Sequence, residues 1–327
     1  MIRPADASAL SEATRLLLAG QLVGIPTETV YGLAADALQP LACARIFEVK
    51  ARPAFDPLIV HVLDASWLPR VTVAAAGQSA AVRAQVQLLQ KKFWPGPLTL
   101  ILPRAAAVPD IVSAGLSTVA VRVPSHPTAR ALLALFGRPL AAPSANPFGY
   151  LSPTTAAHVE AQLGAQVPLI LDGGPCSVGV ESSIVDASGD RLRLLRAGGI
   201  SQEELETVLG EALALGPSVL ERPLAPGQLP SHYAPRTPLV LFAAGQAPAV
   251  AGRVGWLGLQ APDNAGRYQE LESLSPQGDL REAAARLFAA LHRLDEQGLD
   301  AIHAEAVPET GLGRAIMDRL RKAEAHR

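Results

Sequence analysis

The side chains best suited to chemistry gather in two stretches, GIPTETVYGLAAD at 24–36 and KARPAFDPLIVHV at 50–62. In the first, Thr27, Glu28 and Thr29 break an apolar context in which a core strand would alternate or stay apolar. This predicts a strand end opening into a polar pocket. In the second, Lys50 and Arg52 stand just ahead of an apolar run that holds His61, in a chain with only four lysines. Arg122 interrupts TVAVRV at 118–123, where a guanidinium must be paired or face a cavity, because burying it alone costs too much. The proline-stiffened AAPSANPFGYLSPT at 141–154 supplies Ser144 and Ser152, and DGGPCSVGVESSIVD at 172–186 supplies Ser182 behind glycines that permit close approach of a ligand. Lys50, Arg52, Arg122 and Arg196, with the hydroxyls of Thr27, Thr29, Ser144, Ser152 and Ser182, fit a polyanion gripped by many scattered groups, as nucleotide phosphates are. Plainer readings stand beside this one. Ser152 and Thr154 could cap a helix starting near Thr155, the glycine loop could be a hairpin, and His61 could be a satisfied core histidine.

Signatures of other chemistries are missing. There is no GxxxxGK[ST], no GxGxxG after a strand, no HExxH and no G-x-S-x-G. Two cysteines, Cys43 and Cys176, are too few for a cysteine zinc site or a disulfide framework and read as free thiols. Formal charge is −2, and residues 1–237 carry 18 basic and 18 acidic side chains against 10 and 12 in the remainder. Neither part has the basic surplus that sustained nucleic-acid binding needs, so no stable nucleic-acid binding is expected. No apolar segment approaches the ~20 residues that span a bilayer, and the N-terminus lacks a signal-peptide layout, so a cytoplasmic protein without a membrane is expected.

Positioning these groups takes two α/β units in a chain of 327 residues. Helical spacing predicts helices over 6–19, 38–49, 79–93 and 126–136, and Ser201 with Glu204 forms a capping box for the next. Short apolar runs at 21–25, 58–62, 94–102, 118–123, 169–171, 184–185 and 191–197 predict the strands between them. A proline-rich stretch from Gly216 to Pro238 lacks hydrophobic periodicity and reads as a linker. Beyond it, strands at 239–244, 252–259 and 299–305 alternate with helices at 278–297 and 312–325, which favours a mostly parallel sheet.

GIPTETVYGLAADA, KARPAFDPLIVH, PGPLTLIL, VAVRVPSHP, PSANPFGYLSPT, GVESSIVD, LRAGGI and SHYAPRTPL follow one another in this order. In this the chain resembles the threonylcarbamoyl-AMP synthase family, the YrdC-like proteins, in its long two-domain form. The resemblance implies a YrdC-like twisted mixed sheet with a large cleft over 1–215, a linker and lid over 216–238, and a smaller Rossmann-like α/β domain with a mostly parallel sheet over 239–327. It implies synthesis of threonylcarbamoyl-AMP and pyrophosphate from L-threonine, bicarbonate and ATP, with Mg²⁺ accompanying the triphosphate. A separate tRNA threonylcarbamoyl-transferase machinery would use the product. Carried over residue by residue, Lys50 and Arg52 would bind ATP phosphates and act in catalysis, and Thr29, His61, Arg122 and Ser182 would hold L-threonine. Asp56, Thr118, Ser144, Ser152, Arg196, His232 and Tyr233 would complete the ATP site, the last two from a lid.

The residues suit such roles. Attack of an amine on bicarbonate and of the resulting carbamate on the α-phosphorus both bring anions together, which cationic side chains offset without a protein nucleophile. Arg122 is suited to a bidentate grip on a carboxylate. Four positions depart from the family pattern: Asp56 in place of asparagine, facing solvent or a metal, and Phe148, Ser183 and Ala197. Two other readings are carbamoyl transfer in hydrogenase maturation, whose cysteine-rich zinc modules two cysteines cannot supply, and a non-catalytic RNA-binding module, which predicts salt-sensitive RNA affinity.

Overall fold

The computed structural model describes residues 1–74, 78–216, 223–229, 232–246 and 248–325. The first helix shows how local sequence sets the elements. Asp6 accepts a hydrogen bond from Ala9 N at 2.8 Å, Ala9, Ala13 and Leu17 turn inward, and Gly20 ends the helix Ala7–Leu18 at φ +70°. The expected capping box of Ser201 and Glu204 likewise opens the helix Gln202–Leu209.

These helices flank an eleven-stranded mixed sheet. Its strands run, edge to edge, Ile2–Pro4, Leu169–Asp172, Val23–Ile25, Gly32–Asp36, Leu140–Ala141, Ile59–His61, Thr118–Arg122, Leu98–Pro103, Ser183–Asp186, Arg193–Arg196 and Ala214–Leu215. A second, fully parallel sheet orders Leu239–Phe242, Ala301–Glu305, Val254–Gly258 and Glu270–Ser273. The last of these strands escapes sequence reading, because ELES has no apolar run and, at the edge, buries little.

The helices Leu280–Asp295 and Gly313–Glu324 bury Leu287, Phe288, Leu291, Ile316 and Leu320. That core also takes in Val30, Leu151, Val180 and Tyr233, so the two sheets are joined through apolar packing. The expected linker is structured where it is described. Leu224 and Ala225 lie on Ile59, Ile101, Ala120 and Ile184 of the large sheet. Its parts at 217–222, 230 and 231 lie outside the described residues. No described helix is long and apolar enough to cross a membrane, and Cys43 and Cys176 are buried free thiols.

Candidate active site

Strand register builds the site. Parallel pairing sets His61 beside Arg122, and antiparallel pairing sets Thr99 on its other side, so three polar residues share one row at the strand ends. Thr27 and Thr29 come from the turn between Val23–Ile25 and Gly32–Asp36. Their hydroxyls lie 2.9 Å apart, and Thr29 Oγ1 accepts from Arg122 Nη1 at 2.8 Å. Thr99 brings its hydroxyl to within 2.7 Å of Ser182 Oγ. Arg196 donates twice to the Ser182 carbonyl, from Nε at 3.1 Å and Nη2 at 2.9 Å, and from Nη1 to the carbonyl of Pro226 at 2.8 Å.

The result is a pocket walled by Thr29, Arg52, His61, Arg122, Ser144, Ser182, Arg196, His232 and Tyr233, among others. Nine residues expected to act together do meet. Four others stand apart from the wall. Lys50 lies behind it, its ammonium donating to the carbonyls of Ser144 at 2.6 Å and of Asn146. Asp56 is completely buried and ion-paired with Arg52 at 2.9 Å, so it does not face solvent. Ser152 does not cap the following helix, since Thr155 does that by accepting from His158 N. Ser152 Oγ instead donates to Glu181 Oε1 at 2.5 Å. Thr118 shares a face of its strand with Arg122 but sits at the far end, opposite Pro103, with the strip under Ala225 between them.

Arg122 differs from expectation in one further respect. Its Nη2 lies 2.7 Å from Glu28 and its Nε donates to the Gly96 carbonyl at 3.3 Å, so a carboxylate bound here would share the guanidinium with these groups. The departures noted in sequence have structural places too. The Phe148 ring meets His232 edge-on at 5.5 Å, Ser183 Oγ donates to the Ile200 carbonyl, and the Ala197 carbonyl accepts from Arg319.

Positive charge is in excess here. Lys50, Arg52, Arg122, Arg196, Arg319 and Lys322 face four carboxylates, those of Glu28, Asp56, Glu181 and Asp318. Burial, and then the neighbouring Arg52, hold Lys50 well below the usual lysine range. Burial lowers Arg52 and Arg196 as well. His232 is driven well below its ordinary value by burial, then by Arg52 and Lys50, and burial followed by Arg122 takes His61 down to about 3. Each ring has a buried Nδ1 without a hydrogen-bond partner in the described structure. A bound anion would offset the burial that lowers these cationic groups.

Sequence reasoning left Glu181, Asp318, Arg319 and Lys322 without a role. Arg319 is completely buried on the helix Gly313–Glu324 and pairs with Glu181 at 2.9 Å. Its signal was present: an arginine set among Ile316, Met317 and Leu320 invites the same question as Arg122. Glu28, Asp56 and Glu181 are each taken by an arginine, and among the described residues no three His, Cys, Asp or Glu side chains stand together as ligands.

Residues 15–198 match the family model of the Sua5, YciO and YrdC proteins, described as telomere recombination, and residues 200–325 match the model of the threonylcarbamoyl-AMP synthase C-terminal domain. The threonylcarbamoyl-AMP synthase of Bacillus subtilis is 42% identical over 332 residues, covering 97% of this chain and 93% of that protein. The enzyme of the same name from Pyrococcus abyssi is 40% identical over 320 residues, covering 94% and 92%. The crystal structure of P. abyssi Sua5 complexed with L-threonine superposes with a TM-score of 0.88 at 37% identity, covering 100% of this chain and 97% of that one.

Proposed function

The chain belongs to the threonylcarbamoyl-AMP synthase family, and we propose that it joins L-threonine, bicarbonate and ATP into threonylcarbamoyl-AMP with release of pyrophosphate. The observation that carries this reading is the convergence of Arg52, Arg122 and Arg196 with Thr29 and Ser182 on one cavity, backed by Lys50 and covered by His232 and Tyr233. L-threonine takes the end formed by Thr29, His61, Arg122 and Ser182. There the adjacent Arg122 and Glu28 complement a zwitterion, carboxylate to one and ammonium to the other. The triphosphate takes Arg52, Arg196 and Ser144, with Lys50 behind them. Asp56 and Ser152 act on that end through Arg52 and Glu181. Thr118 joins the nucleotide only when Leu224 and Ala225 leave the apolar strip, which makes the described linker residues 223–229 and 232–238 a lid.

In the reaction the amine nitrogen bonds to the bicarbonate carbon and water leaves, giving a carbamate. A carbamate oxygen then bonds to the α-phosphorus and pyrophosphate leaves. The guanidinium groups offset the repulsion of the meeting anions, and the buried His232 and Tyr233 keep water from the carbamate and the mixed anhydride. Mg²⁺ would enter with the triphosphate as part of the substrate and offset its charge. The product would pass in the cytoplasm to a separate tRNA threonylcarbamoyl-transferase machinery. Incubation with labelled bicarbonate, ATP, Mg²⁺ and L-threonine should yield a labelled adenylate together with pyrophosphate. Pyrophosphate release that proceeds equally well without threonine would overturn the reading.

A further inference from the structure

The helix Gly313–Glu324 covers the small sheet, yet three of its side chains act on the cavity of the large one. Arg319 Nε donates to Glu181 Oε2 at 2.9 Å, and its Nη1 donates to the Ala197 carbonyl and to Asp318 Oδ2, both at 2.8 Å. The guanidinium carbon lies 5.1 Å from the centre of the Tyr233 ring, within cation–π range. Glu181 and Tyr233 both line the cavity, and the other oxygen of Glu181 holds Ser152. Lys322, one turn on, donates to the Gly227 carbonyl at 2.6 Å and pairs with Asp318 at 2.8 Å. Gly227 is also a wall residue.

Stability alone does not account for Arg319. A buried guanidinium costs several kcal/mol to desolvate, and apolar residues of similar volume often replace buried ion pairs without loss. What a guanidinium adds is a planar fork that fixes several acceptors at once. Here the fork spans both parts of the molecule, taking Glu181 and Ala197 from one and Tyr233 from the linker. Thr29 and Arg122, by contrast, draw their partners from within the large sheet's own segment.

We propose that Arg319 is a positioning residue for nucleotide binding, holding Glu181 toward Ser152 and seating Tyr233 over the cavity, so that the second domain shapes the nucleotide end of a site it does not line. This rests on the synthase reading above. The test compares Arg319→Lys and Arg319→Met with wild type in the full chain, by threonine-dependent pyrophosphate release and by binding of a non-hydrolysable ATP analogue. Lysine keeps the charge beside Glu181 but cannot reach Ala197 and cover Tyr233 together. Loss of those charge-assisted contacts should raise the KM for ATP about tenfold in the lysine variant and further in the methionine variant. The KM for L-threonine should stay within about twofold, since a ~0.4 kcal/mol change is the scale of an uncoupled site. The double variant Glu181→Gln with Arg319→Met, which removes the stranded carboxylate, should regain melting temperature without regaining ATP affinity. An unchanged KM for ATP in Arg319→Lys, or a parallel rise in both KM values, overturns the proposal whether or not the methionine variant folds. A wild type without threonine-dependent release would instead overturn the synthase reading, and binding of the ATP analogue would then decide the place of Arg319 by itself.

Discussion

Asp56 decides how strongly the cavity attracts an anion. It is buried against Arg52, and its substitution by asparagine leaves that guanidinium without its ion partner. Breaking a buried pair costs about 3–5 kcal/mol, so Asp56→Asn should melt early in buffer. In pyrophosphate it should recover much of the loss, because the site's positive excess grows by one charge. A denaturation series with and without pyrophosphate checks this, and a variant that gains no more than wild type from the anion would contradict it. Arg122→Lys retains a cation for Glu28 but loses the contact to Thr29. A rise of about 10- to 100-fold in the KM for L-threonine is expected from one lost charged hydrogen bond, with ATP little affected. Equal loss for both substrates would move Arg122 to the nucleotide end. Arg122 was conspicuous in the sequence because an arginine inside TVAVRV demands a partner. The identity of that partner, Glu28, was hidden, since strand register and not sequence distance brings the two together.

At the scale of elements, the helices Ala156–Leu163 and Leu280–Asp295 meet through a stack of His158 on His292, ring centres 4.0 Å apart. Burial takes His292 down to about 4, and burial followed by the charge of His292 takes His158 to about 3. Because the folded values lie below the unfolded one, the unfolded chain binds the extra protons. Stability is therefore full above pH ~6.5 and falls as pH drops toward 4, by about 1.4 kcal/mol per unit for each such histidine. His292→Gln removes one titration and should shrink the loss between pH 7.5 and 5.0 by ~2 kcal/mol in urea unfolding, given 1.5 units below the free value. An unchanged slope would mean that the stack opens before it protonates. Close approach is equally specific at Gly198, where an added Cβ would fall 2.3 Å from the Glu181 carbonyl oxygen and 2.4 Å from Ser183 N. Gly198→Ala should therefore disturb the Glu181–Ser183 segment and cost activity along with stability. The helices were legible from apolar spacing and, for Gln202–Leu209, from Ser201 as a cap. Leu140–Ala141 and Ala214–Leu215 were not, because two residues carry no periodicity and owe their strand form to neighbours.

For the whole molecule, the packing of Val30, Leu151, Val180 and Tyr233 into the core of Leu287, Phe288 and Leu291 argues against two independent domains. The sequence showed a linker between two α/β patterns, and patterns of that kind say nothing about the seam. A seam is made of single residues contributed from distant positions. Arg319, Glu181 and Tyr233 add a polar contact to the same seam. Heating should accordingly give one calorimetric transition in which the two-state enthalpy equals the measured one. Pyrophosphate at about 100 times its dissociation constant should stabilise that transition by ~2.7 kcal/mol, since it binds only the assembled site. Two transitions, with pyrophosphate moving only the one that carries the large sheet, would mean that the helix Gly313–Glu324 takes no share in ligand binding. A single shifted transition in wild type that splits in Arg319→Met would place the coupling between the two parts in that one side chain.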